Sequence, residues 1–125
     1  MAKKSAKKDS EKLCDAIVEG MQENKAQDIV VLDLREIKSA VADFFIICTG
    51  ESSTQVDGIS SAVTRHTRKE LAEKPWQVEG KSNREWILLD YVSVVAHIFY
   101  KDTRTFFDLE DLWADAKRTN VPNLN

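Results

Sequence analysis

Residues 86–100, WILLDYVSVVAHIFY, are nearly all apolar in a chain in which 31% of the residues are charged. The stretch is shorter than the roughly 18 apolar residues of a membrane-spanning helix. Because strand side chains alternate between the two faces of a sheet, we interpret it as two antiparallel strands. They fold back at Val92-Ser93 and pair Trp86 with Phe99. The sequence therefore predicts a β-hairpin with two distinct faces.

The two faces of this predicted hairpin differ in chemical character. One face is almost wholly apolar and predicts the core: Ile87, Leu89, Tyr91, Val94, Ala96 and Ile98. The other face mixes aromatic, aliphatic, acidic and imidazole groups: Trp86, Leu88, Asp90, Val95, His97 and Phe99. Such a mixture is more typical of a recognition surface than of a protein interior. The alternative, in which these aromatic residues are simply core, stays open from composition alone.

The remaining segments predict a single α/β domain with a small mixed sheet of about five strands flanked by helices. The predicted elements are a helix over 10–24, strands over 29–34 and 44–49, a helix over 52–72, an edge strand over 76–79, the hairpin, and a short helix capped by Asp108. Ser52 and Gln55 have the spacing of a capping box, while Phe107 and Leu112 have that of a hydrophobic staple.

The chain ends differ in composition from the segments between them. Residues 1–9 are basic and lack apolar periodicity, and residues 118–125 are largely polar. Chain ends of this kind are commonly poorly ordered. We therefore expect flexible tails at 1–9 and 118–125 around a domain that spans 10–117.

Charge and cysteine content narrow the class of protein. The chain of 125 residues has 18 Lys and Arg against 21 Asp and Glu, which gives a net charge of −3. This balance favours a basic protein partner over nucleic acid or an anionic membrane. Cys14 and Cys48 lie far apart, as is usual for reduced thiols in a cytosol. With no secretory signal or arginine-rich presequence recognised, we expect a cytoplasmic protein.

Features of an active site are scarce in this sequence. The turn at residues 49–53 joins a strand to a helix N-terminus, where phosphate can bind, but it lacks a glycine-rich cradle and a P-loop lysine. The nearest carboxylate pair, Asp108 and Glu110, is explained by helix capping and the helix dipole. His66 and His97 lack the spacing of zinc ligands. We predict no catalytic residue, metal or cofactor, with a small nucleotidyltransferase-like, nucleotide-binding enzyme as the alternative.

Several segments, in order along the chain, resemble the ribosomal silencing factor family, also called RsfS or Iojap. They are residues 42–50, 78–80, 86–91, 94–99 and 109–113. The resemblance implies a fold similar to nucleotidyltransferases without their catalytic carboxylates. It implies a protein that binds the large ribosomal subunit through the ribosomal protein numbered fourteen. Bound there, it would block joining of the small subunit by its bulk and so repress translation under nutrient limitation.

The same resemblance suggests which residues contact the partner. The candidates are Trp86, Leu88, Asp90, His97, Phe99, Glu110 and Trp113, of which the last two match a C-terminal motif that either contacts the partner or braces the sheet. Two departures stand out: Val92-Ser93 replaces a frequent Gly-Asp, and Thr54 replaces a frequent arginine. Family members also tend to form homodimers, and self-association of the mixed face is a further possibility.

Overall fold

One mixed sheet forms the centre of the molecule. The structure is a computed structural model that describes residues 2–124, with only the backbone for residues 2–8. Within these residues the strands are β1 (Gln27–Asp33), β2 (Phe44–Gly50), β3 (Gln77–Glu79), β4 (Trp86–Asp90), β5 (Val94–Tyr100) and β6 (Lys117–Val121). Their spatial order is β3-β4-β5-β2-β1-β6. Only β2 and β5 are parallel neighbours in this described sheet.

Helices cover both faces of the sheet, but unequally. They are α1 (Ala2–Glu23), α2 (Ser53–Leu71), α3 (Lys101–Phe107) and α4 (Leu109–Leu112). The two long helices pack on one face and enclose the main core, which includes Ile17, Met21, Ile59, Val63, Ile87 and Ile98. A smaller core on the opposite face joins Leu32, Ile47 and Phe99 to Leu109 of α4. The predicted single mixed α/β domain is confirmed, with six strands instead of about five.

The serine half of the capping box predicted before α2 is present, while Gln55 reaches one residue beyond the N-cap and also joins the two long helices. The Ser52 hydroxyl accepts the backbone N–H of Gln55 at 3.1 Å, and the Gln55 side chain accepts the N–H of Glu51 at 2.7 Å. The Gln55 amide donates to the carbonyls of Asn24 and Lys25, just after α1. One glutamine therefore satisfies backbone groups at the start of α2 and at the end of α1.

The hairpin register is confirmed. Trp86 pairs with Phe99, and Leu88 pairs with His97. The face that we predicted as core is buried: Ile87, Leu89, Tyr91, Val94, Ala96 and Ile98. At the turn, Val92 has a φ of 75°, a region that β-branched residues rarely occupy. Its N–H donates to the Asp90 carboxylate at 2.8 Å, which helps to hold this turn in place.

The predicted ends of the domain differ from the observed elements. The helix start at Ser10 was wrong, because α1 already begins at Ala2. Residues 2–9 contain neither Gly nor Pro, so nothing there stops the helix. The predicted tail over 118–125 was wrong for its first part, because β6 pairs with β1 from Asp33↔Lys117 to Ile29↔Val121. Flexibility of residues 1–9 stays a prediction, and positions 1 and 125 lie outside the described residues.

Candidate functional site

The sheet face opposite the long helices carries a patch of aromatic and aliphatic side chains that reaches the surface. Trp86 and Leu88 alternate onto this face from β4 and are half-buried. Phe107 of α3 packs on Trp86, and Phe106 packs on Phe107; these two side chains are 45% and 81% exposed. We call these four residues the aromatic surface. Its floor consists of buried side chains from β5, chiefly His97 and Phe99.

Trp86 is held in place by three ring neighbours while remaining partly exposed. Its indole stacks on Phe99 with ring centroids 4.9 Å apart and lies 4.7 Å from the ring of Phe107. Its Nε1–H donates to Nδ1 of His97 at 3.1 Å. The indole is therefore neither sealed in the core nor free to rotate in solvent.

His97 lies beneath the surface and is only 4% exposed. Because an indole N–H can only donate, Nδ1 of His97 must accept, and the neutral ring carries its proton on Nε2. Burial lowers the pKa of His97 to about 4, so the ring is neutral near pH 7. Among the described residues, Nε2 of His97 has no hydrogen-bond partner. The ring edge of Phe45 lies against this imidazole, 4.6 Å between centroids.

Carboxylates lie beside the aromatic surface, two of them on the same sheet face. Asp90 follows Leu88 with one residue between them, and Glu79 of β3 lies directly opposite Leu88. Glu85 precedes Trp86 and is exposed. None of the ion pairs found in the described part of the chain involves these three carboxylates. The aromatic surface therefore has negative charge beside it that the fold does not neutralise by direct pairing.

Glu110 has an internal role in this structure. Its carboxylate accepts from Nη2 and Nε of Arg104 at 2.7 and 3.2 Å, and both side chains are about nine-tenths buried. Arg104 also donates to the carbonyl of Asp28 at 2.6 Å and to the hydroxyl of Thr49 at 2.7 Å. The ion pair thus holds α3 and α4 against the ends of β1 and β2.

The structure divides the candidate partner-binding residues into two groups. Trp86, Leu88 and Asp90 are half-buried and reach the surface, although Asp90 also holds the turn. Phe99 is fully buried and His97 nearly so. Trp113 is half-buried, with its ring 5.8 Å from Phe45 in an edge contact. Because Phe99 and His97 are buried, they would influence partner binding through the residues that they support.

Sequence reasoning missed Phe106 and Phe107 as surface residues. The hydrophobic staple paired Phe107 with Leu112, but Leu112 is 71% exposed and Phe107 packs on Trp86 instead. Helix α3 was not predicted, because its sequence KDTRTFF has no apolar periodicity. The sequence feature that could have indicated a surface role was the pair of adjacent aromatic residues next to a charged segment. The predicted N-cap at Asp108 is present, with its carboxylate accepting the N–H of Asp111.

The candidate phosphate turn lies beside a cleft of about 720 Å³ formed by β1, β2, α3 and β6. Two of the cations that line the cleft have acidic partners: Lys101 lies 3.6 Å from Glu51, and Arg104 is bonded to Glu110. A third, Arg118, donates to the side-chain oxygen of Asn120. Within the described residues, no group of three His, Cys, Asp or Glu side chains is arranged to hold a metal ion. Burial raises the pKa of the Cys14 and Cys48 thiols to about 12.

No helix in the described part of the chain is both long enough and apolar enough to cross a bilayer.

The fold defines a mixed α/β protein whose distinctive surface feature is a partly covered sheet face with an aromatic surface. Comparison with solved structures finds the same architecture. A crystal structure from Chromobacterium violaceum superposes with a TM-score of 0.78 at 27% identity, and covers 90% of this chain and 92% of the other.

Sequence comparison assigns the family. The family model described as "Ribosomal silencing factor during starvation" matches residues 7–125. A protein named ribosomal silencing factor RsfS from Bacillus subtilis is 41% identical over 97 residues, which covers 75% of this chain and 78% of that protein. One of the same name from Halalkalibacterium halodurans is 36% identical over 107 residues, covering 86% and 90%. The chain belongs to the ribosomal silencing factor family.

Proposed function

We propose that this protein binds the large ribosomal subunit through the ribosomal protein numbered fourteen and prevents joining of the small subunit by its bulk. It would act in the cytoplasm and repress translation when nutrients are limiting. The observation that carries the proposal is the aromatic surface, with Trp86 fixed and partly exposed at its centre. Membership of the ribosomal silencing factor family supports the choice of the ribosome as partner.

The chemistry of the aromatic surface suits a protein partner. Tryptophan and other aromatic residues provide a large share of binding energy at interfaces because they bury much area at little entropic cost. The carboxylates of Glu79, Glu85 and Asp90 have no ion-pair partner among the described residues, as shown above. Ribosomal proteins are typically basic, so these groups complement such a partner. Blocking by bulk requires no reaction, and the proposed mechanism uses no catalytic residue or cofactor.

The test replaces the central indole. We expect Trp86→Ala to weaken binding to purified bacterial large subunits by about 2 kcal/mol or more, the usual scale for an interface hot spot. Trp76→Ala is the matched control, because Trp76 is 75% exposed and lies outside the aromatic surface. Binding is measured by co-sedimentation, and subunit joining by sucrose-gradient analysis after mixing the two subunits.

The two readouts separate the parts of the proposal. A folded Trp86→Ala variant that sediments with large subunits as well as the unmodified protein would remove the aromatic surface from the interface. Tight binding without any decrease in joined ribosomes would refute the blocking mechanism. A second copy of this chain is the competing occupant of the same surface. Light scattering at several concentrations detects such a homodimer, and Trp86→Ala would then dissociate it.

A further inference from the structure

We propose that His97 is a positioning residue for Trp86: by accepting the indole N–H, it fixes the orientation in which the ring meets its partner. The inference rests on the proposed function, because it assumes that Trp86 is an interface anchor. His97 itself is buried and need not contact the partner. Its effect on binding would be exerted through the indole.

The hairpin register brings the two rings together. Trp86 lies opposite Phe99, and His97 precedes Phe99 by two residues, so His97 and Trp86 are diagonal neighbours on one sheet face. Diagonal neighbours of this kind are within reach of long aromatic side chains. The observed distance of 3.1 Å between Nε1 of Trp86 and Nδ1 of His97 is a normal hydrogen bond.

Stability alone does not explain a histidine at this position. An imidazole that accepts at Nδ1 carries its proton on Nε2, and that buried group has no partner among the residues described. Leaving a buried donor unpaired is unfavourable for folding. An apolar ring of similar size at position 97 would avoid that cost. What His97 provides, and such a ring would not, is an acceptor for the indole.

The hydrogen bond also defines how the indole faces outward. Its polar N–H edge is turned toward the sheet, while Phe99 and Phe107 restrict the ring plane. A side chain already held in one orientation loses less conformational entropy when a partner binds. Without the acceptor, the indole N–H would have to turn toward water, and the ring would leave the orientation seen here.

Two substitutions of His97 separate the acceptor from the ring. In His97→Asn, the amide oxygen can occupy the place of Nδ1, so the acceptor is kept and the ring is lost. In His97→Phe, the ring is kept and the acceptor is lost. We expect His97→Phe to weaken binding to purified large subunits about tenfold, the effect of one buried hydrogen bond, and His97→Asn to bind within about threefold of the unmodified protein.

A double-mutant cycle tests whether His97 acts through the indole N–H. Trp86→Phe removes that N–H but keeps an aromatic ring. If the role is positioning, adding His97→Phe to Trp86→Phe should cause almost no further loss of binding. Additive losses, or weaker binding by His97→Asn than by His97→Phe, would overturn the inference and indicate a packing role for the ring.

The indole N–H also gives a spectroscopic readout. In ¹H–¹⁵N spectra, the Trp86 indole resonance should move strongly in His97→Phe and much less in His97→Asn, while that of Trp76 stays in place. An unchanged Trp86 resonance in His97→Phe would show that the bond is not formed in solution, and the inference would fail. If Trp86→Ala weakens binding but His97→Phe does not, only the inference is wrong. If Trp86→Ala has no effect, the proposed function itself fails.

Discussion

At the scale of single residues, the buried His97 makes the stability of the fold depend on pH. Burial lowers its pKa from 6.5 to about 4 in the folded protein, whereas in the unfolded chain it titrates near 6.5. As the pH falls through this window, the unfolded state binds the proton first, so the free energy of unfolding decreases. At about 1.4 kcal/mol per pKa unit, the whole loss is about 3 kcal/mol.

Urea unfolding of the unmodified protein and of His97→Phe, each at about pH 7 and about pH 5, measures this effect. The carboxylates titrate alike in both proteins, so the difference between their losses isolates the imidazole. We expect the unmodified protein to lose more stability than the variant on acidification. Equal losses would mean that the imidazole is not buried in the neutral form in solution.

Val92 is a second residue whose conformation has a measurable cost. Its φ of 75° is disfavoured for a β-branched side chain by about 1–2 kcal/mol, and glycine would remove that cost. Glycine also gains entropy in the unfolded chain, which offsets about 0.5–1 kcal/mol. We therefore expect Val92→Gly to raise the free energy of unfolding by about 0.5–1 kcal/mol in urea titrations.

Val92→Ala is the matched control for this change. Alanine keeps a Cβ and therefore most of the strain, while it removes the same exposed methyl groups. We expect it to leave the stability nearly unchanged. A Val92→Gly variant no more stable than Val92→Ala would show that the turn relaxes to another conformation in solution.

At the scale of elements, α3 depends on one arginine. The phenylalanines of α3 are exposed, whereas the Arg104 side chain is about nine-tenths buried and makes hydrogen bonds to Asp28, Thr49 and Glu110. A lysine cannot reproduce this planar set of donors. We expect Arg104→Lys to cost about 2 kcal/mol of stability and to increase hydrogen exchange across α3 and α4.

Lys101→Ala is the control for Arg104→Lys, because it removes a cation of the same helix that lies 3.6 Å from Glu51 at the surface. A pair of that kind contributes little to stability. Hydrogen exchange followed by mass spectrometry reports both variants. Equal exchange of α3 in Arg104→Lys and in Lys101→Ala would refute the role given to Arg104.

The elements also show how far the sequence determines the structure. The hairpin register could be predicted because Ile87 and Leu89 alternate with Trp86 and Leu88, and a slip of one residue would mix the two faces. Strand β6 could not, because its side chains are mostly exposed and polar, and its pairing with β1 depends on the main chain. A sequence pattern records side-chain burial far better than main-chain pairing.

The sequence predicted which sheet face carries the candidate site, but not how deeply each of its residues is buried. Alternation assigned Trp86, His97 and Phe99 to one face, which the structure shows. The burial of Phe99 depends on cover from Phe107 and Leu109, which lie on α3 and α4, while His97 lies against Phe45 and Trp86. The contacts of α3 and α4 with the sheet are tertiary contacts, and the local sequence patterns of the segments do not predict them. The exposure of each residue therefore required coordinates.

At the scale of the whole molecule, we expect the position of the charges to affect association with a basic partner more than the net charge does. The net charge is only −3, so long-range attraction to a basic partner is modest. Glu79 and Glu85, however, flank the aromatic surface without ion pairs among the described residues. Charges beside an interface act mainly on the association rate, because they steer the encounter before contact.

The last prediction separates placement from net charge. Glu79→Gln combined with Glu85→Gln should lower the association rate with a basic ribosomal protein partner several-fold at low salt, and the difference should shrink at high salt, where charges are screened. Glu70→Gln with Glu73→Gln is the control: it removes two negative charges as well, but at the end of α2 and just beyond it. Stopped-flow or surface-based kinetics give the rates. If both double variants slow association equally, net charge alone governs the encounter, and the flanking carboxylates have no special role.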